Sequence, residues 1–320
     1  MDLHLLIDNL TNPALLFFFL GIIAVQVKSD LEIPPNSSKF ISLYLMLSIG
    51  FKGGMELSHS TFDMEILWSL LFGLFLALFI PLYTYFILRR KFSVANSGAI
   101  AAAYGSVSAV TFVTAVSFLE IEKITFGGHM VAVMALMEAP SIIIGVLLMS
   151  YFQKANKEKT KMNEVLHHSL TNGSVLLILG SLVIGFLASD QQARGIEPFT
   201  TDIFKGFLAV FLLDMGISSG KKLNDFLKEG WFAFLFAIVV PLLNGCVVAF
   251  ASSVFSDNVG NRFLFAILAA SASYIAVPAA MRIVAPKANP SLYLPMALAI
   301  TFPFNITLGM PLYLCIVQLN

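Results

Sequence analysis

The chain has 320 residues, 58% of them hydrophobic and 12% charged, with a mean hydropathy of +0.86; its apolar share exceeds, and its charged share is about half of, that of an ordinary soluble domain. Apolar residues in long blocks rather than short alternating segments predict an all-α membrane protein and exclude a β-barrel. The formal net charge is zero, which argues against nucleic acid as a partner, and Cys246 and Cys315 each lie inside an apolar block, implying neither a disulfide framework nor a metal site.

The N-terminus, Met1-Asp2-Leu3-His4, lacks a basic run, so the first apolar block reads as a retained helix, not a cleaved signal. Blocks bounded by Pro, Gly, Asn and charged residues predict spans near 13–27, 40–54, 65–88, 94–118 and 128–152, then 173–189, 203–219, 230–255, 262–284 and 291–317. Several fall short of the ~20 residues that cross hydrocarbon. The long polar stretch 153–172, with Lys154, Lys157, Lys159 and Lys161, divides the chain into 1–152, a cytoplasmic linker and 173–320. Basic residues accumulate in cytoplasmic loops. With the N-terminus outside, fourteen Lys and Arg fall inside and five outside, which predicts ten spans in the inner (plasma) membrane with both termini outside.

Five spans per half require the second half to enter the membrane inverted, the plan of many secondary transporters. The sequence carries traces of it. The segment Leu47-Ser48-Ile49-Gly50-Phe51-Lys52-Gly53-Gly54-Met55-Glu56-Leu57 aligns without gaps on Leu213-Asp214-Met215-Gly216-Ile217-Ser218-Ser219-Gly220-Lys221-Lys222-Leu223. Ile80-Pro81-Leu82 echoes Val240-Pro241-Leu242, and Ala139-Pro140 echoes Phe302-Pro303, in the same order.

The fourth and ninth spans lose hydrophobicity midway, at Tyr104-Gly105-Ser106-Val107-Ser108-Ala109 and at Ala269-Ala270-Ser271-Ala272-Ser273-Tyr274. Small hydroxyl residues there let the backbone unwind or let helices cross closely, and a broken helix presents free N–H groups at the start of its second half. With the helix dipole, those groups and the serine hydroxyls can hold an anion without an arginine. Alternatively the small residues only mediate packing. Glu138 and Asp214 are acidic residues inside spans, where an ionisable group usually faces a cavity, a partner or an ion. Glu138 precedes Pro140, which frees a backbone carbonyl, so the region can ligate sodium through oxygens, or Glu138 can be a neutral carboxylic acid hydrogen-bonded to a neighbouring helix. Thr301, Asn305 and Thr307 surround Pro303 at the repeat-equivalent place, with oxygens suited to a hard cation or to helix–helix hydrogen bonds. Asp214 reads as a partner across helices. The histidines, His4, His59, His129, His167 and His168, show no metal spacing. No phosphate loop, nucleotide fingerprint or nucleophile elbow occurs, so the chain reads as a carrier and not an enzyme, without an organic cofactor. Trp68 and Trp231 read as interface anchors at the starts of the third and eighth spans.

The order of motifs resembles the sodium-dependent bicarbonate transporters. The likeness runs through Leu31-Glu32-Ile33-Pro34, Ile49-Gly50-Phe51-Lys52-Gly53-Gly54-Met55, Gly105-Ser106-Val107-Ser108, Ala270-Ser271-Ala272-Ser273, Pro286-Lys287-Ala288-Asn289-Pro290-Ser291 and Gly309-Met310-Pro311-Leu312-Tyr313. It implies a ten-helix, elevator-like homo-oligomer, often a trimer, with core and gate domains, moving bicarbonate inward with Na+ as the coupling ion. By the same resemblance Ser106, Ser108, Ser271 and Ser273 stand at the substrate site. Two departures stand out: Tyr274 occupies a place where the family has an acidic residue, and the short linker leaves open the PII-like regulator that better-known members bind. A carrier of another small carboxylate, and a membrane scaffold or sensor without transport, are the rival readings.

Overall fold

The computed structural model describes residues 7, 9–60, 63–152, 173–226 and 230–320. The expected linker, 153–172, with His167 and His168, lies outside the described residues, as does His4. The described residues form helices and turns with no strand. Helix α1 spans Pro13–Gln26, α2 Pro35–His59 and α3 Met64–Leu88; α4 (Val94–Gly105) and α5 (Ala109–Ile121) follow as two pieces, then α6 His129–Phe152. In the second half come α7 Gly173–Leu187, the short α8 Asp190–Glu197, α9 Phe204–Phe226 and α10 Trp231–Ala251. The pieces α11 (Val259–Ala270) and α12 (Ala276–Val284) precede the long α13, Pro290–Leu319.

Local sequence explains these boundaries. Pro13 opens α1 behind Asn12, whose side chain accepts from the Ala14 N–H, and Asp63 and Ser93 cap α3 and α4 in the same way. Prolines at 295, 303 and 311 withhold N–H donors inside α13, which accommodates them with wide π-helical turns at Met296–Thr301 and Asn305–Gly309. The second span is longer than its apolar block, running from Pro35 to His59, because Pro35 can begin a helix and the Gly-rich end is held by packing. His59, expected in a loop, is the last residue of α2 and meets Asp190 Oδ1 at 2.9 Å.

Among the described residues seven helical runs are long and apolar enough to cross a membrane, and α1, α7 and α11 are shorter apolar helices. Lipid-facing surface is concentrated on α3 and α10, where Phe75, Phe79, Trp231 and Leu243 are exposed. By contrast every residue of α11 from Gly260 to Ala270 is buried, as is 89% of the most apolar stretch of α4–α5. Interrupted backbone is thus confined to the protein interior, where neighbouring helices can satisfy its polar groups.

The packing pairs are conserved on exchange of the two halves. α1 lies along α9 and α2 along α7; α3 contacts α4 and α6, as α10 contacts α11 and α13; α4 packs on α6, as α11 does on α13. The aligned glycines explain the first of these pairs. A side chain on Gly50 would meet the Ile178 carbonyl of α7, and one on Gly216 would overlap the Phe18 carbonyl of α1. Only glycine lets the backbones approach so closely.

Polar ties fix the ends of the bundle. Lys52 of α2 bonds Glu120 of α5 at 2.7 Å. Glu65 of α3 accepts from Ser256 and from Asn261 Nδ2 (3.0 Å), while Asn261 Oδ1 accepts from the Gly127 N–H at 2.7 Å.

Candidate functional site

The two serine-rich segments are helix breaks, and they meet. α4 ends at Gly105, against the Pro81 ring of α3, with Ser106 turning to extended backbone. Ser108 restarts the chain as the N-cap of α5, its Oγ accepting from Thr111 N at 3.2 Å. α11 ends at Ala270, Ser271 is extended, and Ser273 Oγ accepts from Val277 N of α12 at 3.4 Å. The breaks are stitched to each other: Ser108 N–H donates to Ser271 Oγ (3.1 Å), and Ser273 N–H donates to the Ala103 carbonyl (2.8 Å). Serines serve both ends of each interruption because their hydroxyls replace backbone partners.

Where α5 and α12 begin, their first N–H groups have no carbonyl a turn earlier to bond. Ser108 and Ala109 from one start, and Ser273, Tyr274 and Ala276 from the other, line a cavity of about 20 Å3 with Glu138. Glu138, 7% exposed, projects from α6, and its Oε1 has no hydrogen-bond partner among the described residues. Ser106 Oγ is likewise buried and unpartnered. Two helix N-termini, each carrying about half a positive charge, therefore converge with one carboxyl group in a space sized for about one water. An unpartnered buried carboxyl beside serine hydroxyls fits a sodium ion chemically, through oxygen ligands alone.

Of the site residues expected from sequence, Val107, Ser108, Ala109, Ser273, Tyr274 and Glu138 line this cavity, while Gly105, Ser106, Ser271 and Ala272 belong to the breaks but not to its lining. Thr301 and Asn305 do not line this cavity. Thr301 Oγ1 donates to the Ala237 carbonyl at 2.7 Å and receives the Tyr104 hydroxyl at 2.8 Å. Asn305 Nδ2 donates to the Ala270 carbonyl at 2.8 Å, satisfying the end of the broken α11, with Asn244 Nδ2 serving Ala269 O at 3.2 Å. Asp214 accepts from Ser38 of α2 at 2.5 Å, the cross-helix partner expected of it.

A second, larger cavity of about 510 Å3 opens between α2 and α9 and is lined by Lys39, Asp214, Lys221 and Lys222. It shares Ser174, Tyr274 and Ile275 with the small cavity. These residues form the wall between vestibule and inner space. Ser174 and Asn244 escaped the sequence reading because each stands in an apolar helix with no motif around it.

A bundle with a lipid-facing surface and two interrupted helices crossing in its interior defines the class, a multi-pass membrane protein with a buried polar centre. The chain belongs to the Na+-dependent bicarbonate transporter superfamily, whose family model matches residues 13–318. No curated protein matches the chain. The membership fits a small anion as substrate, sodium dependence and transport rather than catalysis.

Proposed function

We propose that this protein is a secondary active carrier that moves bicarbonate inward with sodium. The observation that supports it is the convergence of two helix N-termini and the unpaired Glu138 carboxyl on one small cavity. The N–H groups opening α5 and α12, with the Ser106 hydroxyl, are donors for the anion's oxygens. Glu138 opposes the anion. Two negative charges ~5 Å apart repel by about 3 kcal/mol at an effective dielectric near 20, so the anion binds well only when a cation sits against Glu138. Coupling then follows from charge balance at a buried site, which widens from the one-water space of this arrangement to take both ions. Thr301 and Asn305 support the site by holding the breaks open, with Ser108 and Ser273 hydroxyls beside Glu138 as sodium ligands.

The proposal includes ten spans in two inverted five-helix repeats, 1–152 and 173–320, joined by 153–172. Its support is the set of packing pairs that survives exchange of the halves, together with the repeated glycine motif. α1, α2, α7 and α9 make one body, the gate, and the remaining long helices the core that carries the site. The three lysines of the vestibule, Lys39, Lys221 and Lys222, which stand beside Glu32 and Asp214, support a cytoplasmic location for it. This is then an inward-facing form, and bicarbonate leaves when Tyr274 and Ile275 swing aside. A trimer and a PII-like regulator at the cytoplasmic face complete the reading by family resemblance.

Reconstituted protein given labelled bicarbonate with and without an inward sodium gradient tests the function. Uptake stimulated at least tenfold by the gradient is expected; uptake of a small carboxylate in preference would change the substrate, and no uptake of either would leave the scaffold reading. Orientation is tested separately. Cysteines introduced at Lys157 and Gln192 should label from opposite sides with an impermeant reagent in intact cells, and equal labelling would refute the two-sided layout.

A further inference from the structure

A second polar cavity lies about two turns along α5 from Ser108, outside the site just described. Asn9, ahead of α1, is 6% exposed, and its Nδ2 donates to the carbonyls of Ile306 (2.9 Å) and Thr307 (3.0 Å). Both acceptors belong to the π-helical turn Asn305–Gly309 of α13, where the wider winding displaces the normal helical hydrogen bonds. Two carbonyls require both amide hydrogens, so the orientation of this amide is fixed and its Oδ1 presents only lone pairs.

Asn9 lines a cavity of about 20 Å3 together with Asn12, Thr114 and Ser117. Thr114 uses its hydroxyl hydrogen on the Val110 carbonyl at 2.9 Å, so its oxygen can act only as an acceptor or ligand. Asn12 Oδ1, which accepts from Ala14 N at 2.9 Å, keeps a second lone pair. Ser117 is 5% exposed and completes the polar part of the lining. The other walls are apolar: Leu208 and Leu212 of α9, and Met310 of α13.

The geometry points to a second alkali-cation site, formed by Asn9, Asn12, Thr114 and Ser117 and sized for sodium. A water has two hydrogens to offer, fewer than the lone pairs gathered here, whereas a hard cation takes several neutral oxygens at once. The lining contains no carboxylate, which favours a monovalent over a divalent ion. Its ligands come from both bodies, Asn9 and Asn12 beside α1 and Thr114 and Ser117 on α5. A bound cation therefore ties the two together in this arrangement and is released when they separate.

The test uses purified full-length protein carrying Glu138→Gln, so that the cation position of the transport reading is disabled. Thermal stability is titrated with sodium chloride against choline chloride at constant ionic strength. Sodium should still raise the melting temperature, and adding Ser117→Ala or Thr114→Val should raise the half-saturating sodium concentration about tenfold, the loss expected for one ligand to a charged species. Equal melting in sodium and choline for Glu138→Gln would mean that the cavity holds water only and would overturn the inference. An unchanged sodium midpoint in both double variants would overturn it as well. Because the Glu138→Gln background removes the first site, failure here leaves the transport reading standing, and failure of sodium-driven uptake leaves this site testable.

Discussion

Replacing Glu138 with glutamine is expected to uncouple anion binding from sodium. With anion and carboxylate ~5 Å apart in the occupied site, the cation between them offsets a repulsion of about 3 kcal/mol. Glutamine keeps the shape and removes the charge. Bicarbonate binding without sodium should then tighten by roughly a hundredfold, while the stimulation by sodium falls below about twofold. Net accumulation should be lost, because a carrier that binds its anion without the cation equilibrates it instead of concentrating it. Binding titrations in sodium and in choline, beside counterflow and gradient-driven uptake, measure the two effects separately. A Glu138→Gln protein with undiminished sodium response would remove Glu138 from the coupling scheme.

Gly216→Leu should be the most damaging packing change. The site of a new Cβ is occupied by the Phe18 carbonyl, and a backbone atom cannot rotate away as a side chain can. Overpacked cores lose about 1–3 kcal/mol; between two main chains the loss should lie at or beyond the top of that range. Folded protein recovered in detergent should fall severalfold and the remainder should melt lower. Gly206→Leu is the control on the same helix, since nothing lies within 4 Å of its added Cβ. Equal recovery of the two variants would contradict the close α1–α9 approach.

Much of the bundle was legible in the sequence because lipid imposes a simple rule, long apolar blocks between polar punctuation. Every expected block corresponds to helix, and the two serine-rich interruptions fall where the helices break. Serines beside glycine and alanine cannot hold a helix in the interior as leucines do, but they can cap its ends. Glu138 stood out for a related reason, since a carboxyl among apolar neighbours needs a purpose. The hydroxyls at Ser108, Thr111, Thr114 and Ser117 also recur every third residue, a pattern that could have drawn attention to the second cavity.

Hydrophobicity and the residues able to break or cap a helix are local properties, and the sequence by itself determined those: the membrane class, the helix blocks, the paired breaks and the isolated carboxyl. Partnership is not local. Which oxygens are already engaged depends on helices brought together from distant parts of the chain. Thr301 and Asn305, expected beside Glu138, do not line its cavity; their hydrogens go to the Ala237 and Ala270 carbonyls. Asn9 looked like an unremarkable polar residue before a span. Only the approach of α13, with carbonyls displaced by its π-helical turn, gave that amide its partners and set it in one cavity with Thr114 and Ser117.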